Sequence, residues 1–291
     1  MRFRGFENAA GRGLAIVRPD GRVVGRWESD PQFPGWIEAL LLAEGNALAE
    51  AAAVLGAGMP VDLDSRWLPP LRRPGKVICI GLNYRDHSRE AGFDPPAYPA
   101  VFARFATSLV GHNDPLIRPL VSEQLDYEGE LALVIGKAGR AIRKEDALFH
   151  VAGYTVFNDA SIREYQYKSQ QWTMGKNFDG TGAMGPDFVT ADELPDGCRG
   201  LKIETRLNGR VVQAAMIDDM IFDVASLISL LSVAFTLEPG DLIVTGTPAG
   251  VGHARTPPLW MKAGDSCEVE ISQIGVLRNV ITDEITPHPR P

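Results

Sequence analysis

The chain has 291 residues, 45% hydrophobic and 23% charged, with 30 glycines and 21 prolines, a balance that supports a sizeable core cut by many turns. Its 29 Lys and Arg against 37 Asp and Glu leave a net charge of −8 and no basic run, which excludes a charge-driven nucleic-acid surface. Cys79, Cys198 and Cys267 share no Cys-x-x-Cys spacing, and no stretch approaches about 18 uncharged apolar residues, so the expectation is a cytoplasmic protein without disulfide framework, thiolate metal site or membrane span.

Residues 1–70 read as a small α+β domain. Gly13 to Val17 and Val23 to Trp27 flank Pro19-Asp20-Gly21-Arg22 and predict a β-hairpin, and Pro34-Gly35-Trp36 leads into one Ala- and Leu-rich helix over 37–55. The proline-rich stretch from Trp67 to Gly75 disfavours helix and central strand, which puts the boundary at 70 and the main domain over 71–291. Lys76 to Ile80 is then a short buried strand. It runs into a short helix capped by Asn83 or Asp86 and ended by Gly92. On that helix His87 and Glu90 stand three apart on one face. A carboxylate beside an imidazole fixes its tautomer, as a general base requires, although surface ion pairs use the same spacing.

After a loop at Asp94-Pro95-Pro96 and Pro99, the segments 101–105 and 116–119 lead toward Asp126-Tyr127-Glu128-Gly129-Glu130, which opens an apolar, β-branched run ending at Gly136. A strand alternates faces with a period of two, so Glu128 and Glu130 share a face about 7 Å apart. Two carboxylates that close repel unless a cation sits between them, and a hard divalent ion such as Mg²⁺ or Ca²⁺ is the natural occupant; a solvated end charge plus an ion-pair partner is the alternative. A helical stretch over 145–151 follows. The next strand, 153–161, delivers Asp159 either as a third ligand or as the N-cap of a helix over 162–167.

Lys176 is the one charge in the stretch 171–178. Gly180 to Gly185 formally matches Gly-x-Gly-x-x-Gly, but Pro186 and Phe188-Val189 point to a turn and another strand rather than a helix, which rejects dinucleotide binding. A second hairpin turns at Asn208-Gly209, and Asp223 caps a helix over 223–235. Strand 242–244 runs into Thr245-Gly246-Thr247-Pro248-Ala249-Gly250-Val251-Gly252, a tight loop offering a hydroxyl and N–H groups to an anion without the lysine of a phosphate loop. Strands over 267–271 and 275–281 close the chain.

The blocks Gly-x-Asn-Tyr-x-x-His (81–87), Asp-Tyr-Glu-Gly-Glu-Leu (126–131), Asn-Asp (158–159), Gly-Lys-Asn-Phe (175–178) and Thr-Gly-Thr-Pro-x-Gly-Val-Gly (245–252), taken together and in order, resemble the fumarylacetoacetate hydrolase family. The resemblance implies a mainly β, mixed α+β fold, with sheets rolled around a metal site behind a small N-terminal α+β domain, in a homodimer. It implies one Mg²⁺ or Mn²⁺, with Ca²⁺ as a further option, on Glu128, Glu130 and Asp159. It also implies a catalytic His87/Glu90 pair with Lys176, and substrate contacts from Arg163, Gln166 and Thr247. Where many relatives read Phe-x-Lys, this chain has Phe102-Ala103-Arg104, and Arg104 is left out of the expected site; residues 92–99 fall where the family has a lid.

The implied reaction is hydrolytic cleavage of a carbon–carbon bond in an acylpyruvate-type 1,3-diketo acid, with a pyruvate enolate leaving and His87 activating water. Oxaloacetate-type decarboxylation and 2-hydroxymuconate-type isomerisation use the same chemistry. A non-catalytic protein that binds small oxo acids is the reading from another class.

Overall fold

The computed structural model describes residues 1–43, 45–90 and 96–285, the Ser88 side chain excepted. The expected helix end at Gly92 and the lid positions 92–95 lie outside them.

In the N-terminal part, β1 (Arg2–Asn8), β2 (Gly11–Val17) and β3 (Val23–Trp27) form an antiparallel meander, and the Asp20 carboxylate accepts from Arg22 N–H to hold the β2–β3 turn. The single helix expected over 37–55 is two, α1 (Ile37–Leu42) and α2 (Ala47–Gly56). Gly45 between them takes φ 76°, a left-handed conformation that glycine adopts freely and a helix cannot contain. The short β4 (Met59–Pro60) and β5 (Arg66–Leu68) then pair with β3 and β1.

Next come β6 (Val77–Gly81), α3 (Arg85–Glu90), β7 (Ala100–Arg104), β8 (Leu109–Val110), β9 (Leu116–Arg118) and β10 (Leu125–Asp126). The glutamate strand, β11 (Gly129–Ile135), leads through a 3₁₀ helix over Lys144–His150 to β12 (Val151–Asp159). The stretch expected to be helical to residue 151 stops one residue short, because Val151 already pairs with Ile135 in the sheet. After β13 (Ser161–Ile162), α4 (Arg163–Gln166) and α5 (Thr173–Lys176), a single strand β14 (Gly182–Thr190) runs through Pro186. The turn expected at Pro186 is absent: the proline follows a cis peptide bond, beside a slip in the β12–β14 register where a missing N–H is tolerated.

The hairpin β15 (Lys202–Leu207) and β16 (Arg210–Met216) precedes α6 (Val224–Ala234), whose N-cap Asp223 accepts from Ser226 N–H at 2.8 Å. The chain closes with β17 (Leu242–Val244), β18 (Ser266–Ile271) and β19 (Gly275–Asp283).

The main sheet runs β4-β3-β2-β1-β14-β12-β11-β17-β6-β7, so β1 joins the N-terminal strands to the rest through its pairing with β14. A five-stranded sheet, β16-β15-β18-β19-β9, is hydrogen-bonded separately and packs against β11, β12 and β14 of the main one. β11 is buried along its whole length, and its two faces feed different cores. Leu131, Leu133 and Ile135 pack in one with α6 and the five-stranded sheet, whereas Ala132 and Val134 pack in the other with α1 and α2. Burial on both faces explains the unbroken apolar run, each large side chain contributing about 1.5–3 kcal/mol. It also makes two glutamates at the head of that strand costly unless something pairs with them. All three cysteines are buried and unpaired, and no described helix is long and apolar enough to cross a membrane.

Candidate metal centre and active site

β11 and β12 are antiparallel, so the start of one lies beside the end of the other: Gly129 faces Asn158, and Asp159 N–H donates to Glu128 O at 2.9 Å. This register brings Glu128, Glu130 and Asp159 together, one carboxylate oxygen from each within 4.8 Å of the others, all buried. Asp159 does not cap a helix, since α4 starts only at Arg163 with Ile162 before it.

The three carboxylates differ in their partners. Lys176 Nζ donates to Glu128 Oε2 and Asp159 Oδ2, both at 2.6 Å. Arg163 Nη2 sits 2.6 Å from Glu128 Oε1, and Arg104 Nε donates to Asp159 Oδ1. Among the described residues no cation touches Glu130, whose one hydrogen bond comes from Gly246 N–H. Burial works to raise the Glu128 carboxyl, and Arg163 and Lys176 overcome it and hold it down at about 2. Burial, then Asp159 and Glu128, push Glu130 well above the ordinary carboxylate range. For Lys176, burial acts against the charge while Asp159 and Glu128 outweigh it and raise the ammonium's pKa.

Three hard oxygen donors converging in a buried place, one of them without a direct counter-charge, fit a hard divalent cation of the Mg²⁺, Mn²⁺ or Ca²⁺ type.

A cavity of about 550 Å³ opens on Glu128 and Glu130, and all six residues expected for catalysis and substrate contact line it: His87, Glu90, Lys176, Arg163, Gln166 and Thr247. His87 Nδ1 lies 3.4 Å from Glu90 Oε2 on α3. Both Glu90 oxygens receive Gly250 N–H, at 3.1 and 3.0 Å. Burial tends to raise the Glu90 carboxyl, but the hydrogen bonds from His87 and Gly250 and the charge of Arg255 prevail and hold it below its usual value.

Two substrate-contact expectations meet side chains already engaged. Arg163 spends Nε on Asp126 Oδ2 and Nη1 on Gln166 Oε1, each at 2.8 Å, so its fork clamps protein groups. Thr247 Oγ1 donates to Gly129 O at 3.0 Å and accepts from Gln213 Nε2 at 2.9 Å. Gln166 lines the cavity, with its carbonyl taken by Arg163. The loop expected to cradle a ligand anion cradles the protein's own carboxylates. Gly246 N–H serves Glu130, Gly250 N–H serves Glu90, and Gly252 and His253 N–H serve Asp126 at 2.7 and 2.9 Å. Asn83, expected as a possible helix cap, instead ties loops together by donating to Phe222 O and Thr245 O.

Three residues of this assembly escaped the sequence reading. Arg104, set aside as a departure, is buried on Asp159; a charge ending an otherwise apolar strand was the available signal. Asp126 anchors Arg163 and the 245–252 loop, and its only sign was its place in the Asp-Tyr-Glu-Gly-Glu block. Gln213, on the distant hairpin, accepts Gly129 N–H at 3.0 Å and left no local sign.

Residues 76–282 match the family described as fumarylacetoacetate (FAA) hydrolase C-terminal. The chain is 41% identical over 264 residues to the mitochondrial oxaloacetate tautomerase Fahd2a of Rattus norvegicus, covering 90% of this chain and 84% of that protein. It is 47% identical over 216 residues to the oxaloacetate tautomerase YisK of Bacillus subtilis, covering 73% and 71%. The solved fumarylacetoacetate hydrolase of Exiguobacterium antarcticum superposes with a TM-score of 0.84 at 33% identity, covering 98% of this chain and 100% of that one. Sequence and fold agree, and the chain belongs to the fumarylacetoacetate hydrolase family.

Proposed function

We propose that this chain is a divalent-metal-dependent enzyme of small 2-oxo acids that interconverts the keto and enol forms of an oxaloacetate-type diacid. One arrangement carries the reading: an imidazole paired to a carboxylate, His87 with Glu90, lines the same cavity as the buried carboxylate cluster and Lys176. The names of the two tautomerase relatives support proton transfer over bond cleavage.

Tautomerisation moves one proton between C3 and the 2-oxo oxygen and breaks no carbon–carbon bond. Ionised Glu90 accepts from Nδ1–H of His87, leaving the Nε2 lone pair to take the C3 proton. Negative charge then grows on the 2-oxo oxygen. Lys176, whose ammonium lies among the carboxylates, holds that charge more tightly in the transition state than in the ground state, and the His87 imidazolium then returns its proton to the 2-oxo oxygen to give the enol. The Gln166 amide donates to a substrate carboxylate. A divalent cation on Glu128, Glu130 and Asp159 supplies, when bound, Lewis acidity toward the 2-oxo group.

A second reading, hydrolysis of an acylpyruvate-type 1,3-diketo acid, draws on the cavity's size and its apolar wall of Ile80, Leu82, Phe102, Trp172 and Val251. Here His87 would deprotonate water instead of carbon. A pure binder of oxo acids has no use for a paired base. The deciding experiment follows the enol absorbance of oxaloacetate and of acetylpyruvate, with product assays and with and without chelator. Chelator-sensitive ketonisation of oxaloacetate without pyruvate or CO₂ is expected. Pyruvate and acetate from acetylpyruvate, without faster ketonisation, would make the chain a hydrolase. Pyruvate and CO₂ from oxaloacetate above the metal-only rate would make it a decarboxylase.

A further inference from the structure

Arg104 ends β7 with its side chain fully buried. A guanidinium has five N–H donors, and four of these are placed. Nε donates to Asp159 Oδ1, Nη2 to Ala160 O, and Nη1 to both Ser108 Oγ and Thr181 Oγ1 at 3.2 Å. Both hydroxyls have committed their own protons, Ser108 Oγ to Phe105 O at 2.8 Å and Thr181 Oγ1 to Phe178 O at 2.7 Å, so toward Arg104 they act as acceptors. Room for the group comes from β14: Gly182 faces Asp159 in the pairing, and a Cβ there would lie 2.8 Å from Arg104 Nη1. The guanidinium is therefore held from several sides and has no way to turn off the carboxylate.

We propose that Arg104 is a positioning residue that pins Oδ1 of Asp159, makes Asp159 a one-oxygen ligand and so biases the centre toward Mg²⁺ over Ca²⁺. The inference rests on the metal-site reading of Glu128, Glu130 and Asp159. The oxygen left to the cluster is Oδ2, which shares Lys176 Nζ with Glu128 Oε2. Mg²⁺ demands near-ideal octahedral geometry at about 2.0–2.1 Å, which fixed single-oxygen donors suit, whereas Ca²⁺ takes about 6–8 oxygens and readily binds both oxygens of a carboxylate. Freeing Oδ1 helps Ca²⁺ and loosens the geometry Mg²⁺ needs. Loss of positive charge beside Asp159 strengthens both ions alike, so it drops out of the ratio of their affinities. That ratio isolates positioning from charge and from general stability.

Calorimetric titration of the metal-stripped full chain with Mg²⁺ and, separately, Ca²⁺ tests this in wild type, in Arg104→Lys, and in the double variant Ser108→Ala/Thr181→Val, with circular dichroism to verify folding. Arg104→Lys is expected to lower the preference for Mg²⁺ on the order of tenfold, the scale of outer-shell effects on metal affinity. The double variant keeps the charge and loosens only the guanidinium; it shifts the ratio the same way by a few-fold, and it decides the matter alone if Arg104→Lys fails to fold. An unchanged ratio in folded variants that still bind metal overturns the role of Arg104. Wild-type protein that binds neither ion, or binds equally well after Glu130→Gln, overturns the metal-site reading instead.

Discussion

Gly81 and Trp172 meet so closely that a Cβ on the glycine would lie 2.3 Å from the indole Cζ3. The indole also stands edge-on to Phe102, with ring centroids 5.5 Å apart, and both aromatic residues line the cavity. Gly81→Ala must push Trp172 aside, at about 1–3 kcal/mol for overpacking. A lower urea midpoint, a shifted tryptophan emission and a raised KM are expected; unchanged emission would mean that the neighbourhood yields without moving the indole.

His87→Ala removes the proposed base and leaves the three carboxylates in place. Turnover should fall about 10²–10⁴-fold, the range of general-base contributions, while the Mg²⁺ Kd from calorimetry stays near wild type. Turnover equal to wild type would assign the proton transfer elsewhere.

The Glu130 carboxylate is buried beside Asp159 and Glu128, with Gly246 N–H its single hydrogen-bond donor among the described residues. In metal-free protein Glu130→Gln removes a carboxyl whose charge burial and the two neighbouring carboxylates oppose, so the Tm should rise. The same variant should lose the rise in Tm that Mg²⁺ gives the wild type. Scanning calorimetry with and without Mg²⁺ reads both effects, and a Mg²⁺ response surviving in the variant would count against Glu130 as a ligand.

The Asp126 carboxylate accepts from Arg163 Nε, Tyr127 N, Gly252 N and His253 N, at 2.8, 2.8, 2.7 and 2.9 Å. Asp126→Ala takes from the buried Arg163 guanidinium one of its two carboxylates and frees the 245–252 loop, at about 3–5 kcal/mol. Urea unfolding should show that loss even with metal present.

His112 Nδ1 accepts Arg278 N–H at 3.1 Å, and burial, then Arg4 and Arg278, push its pKa down to about 4 from 6.5. The folded state therefore prefers the neutral ring. This stabilisation is whole above pH 6.5 and fades as the pH falls toward 4, because the unfolded chain takes up the proton first. The loss is on the order of 1–2 kcal/mol after solvent screening, and His112→Asn should flatten the stability profile across that window.

Much of the fold was legible because it is written locally. Both hairpins, the Asp223-capped helix, the glutamate strand and the closing strands follow from alternation, turn residues and caps within a few positions of one another. The break at Gly45 and the unbroken course of β14 were not, since a glycine's left-handed φ and a proline at a register slip depend on what packs beside them.

At the candidate site, sequence by itself determined which groups the structure brings together: the Glu128/Glu130 pair, the three-residue His87/Glu90 spacing, and Asp159 as a strand-end carboxylate. Tertiary structure alone decided how their charge is balanced. Arg104 from the far edge of the sheet reaches Asp159, Asp126 holds Arg163 away from a free clamp, and the backbone of loop 245–252 serves Glu90, Glu130 and Asp126. Partners separated by 37 to 160 positions meet only when the sheet assembles, and electrostatic energy depends on distance in space, to which order along the chain is blind.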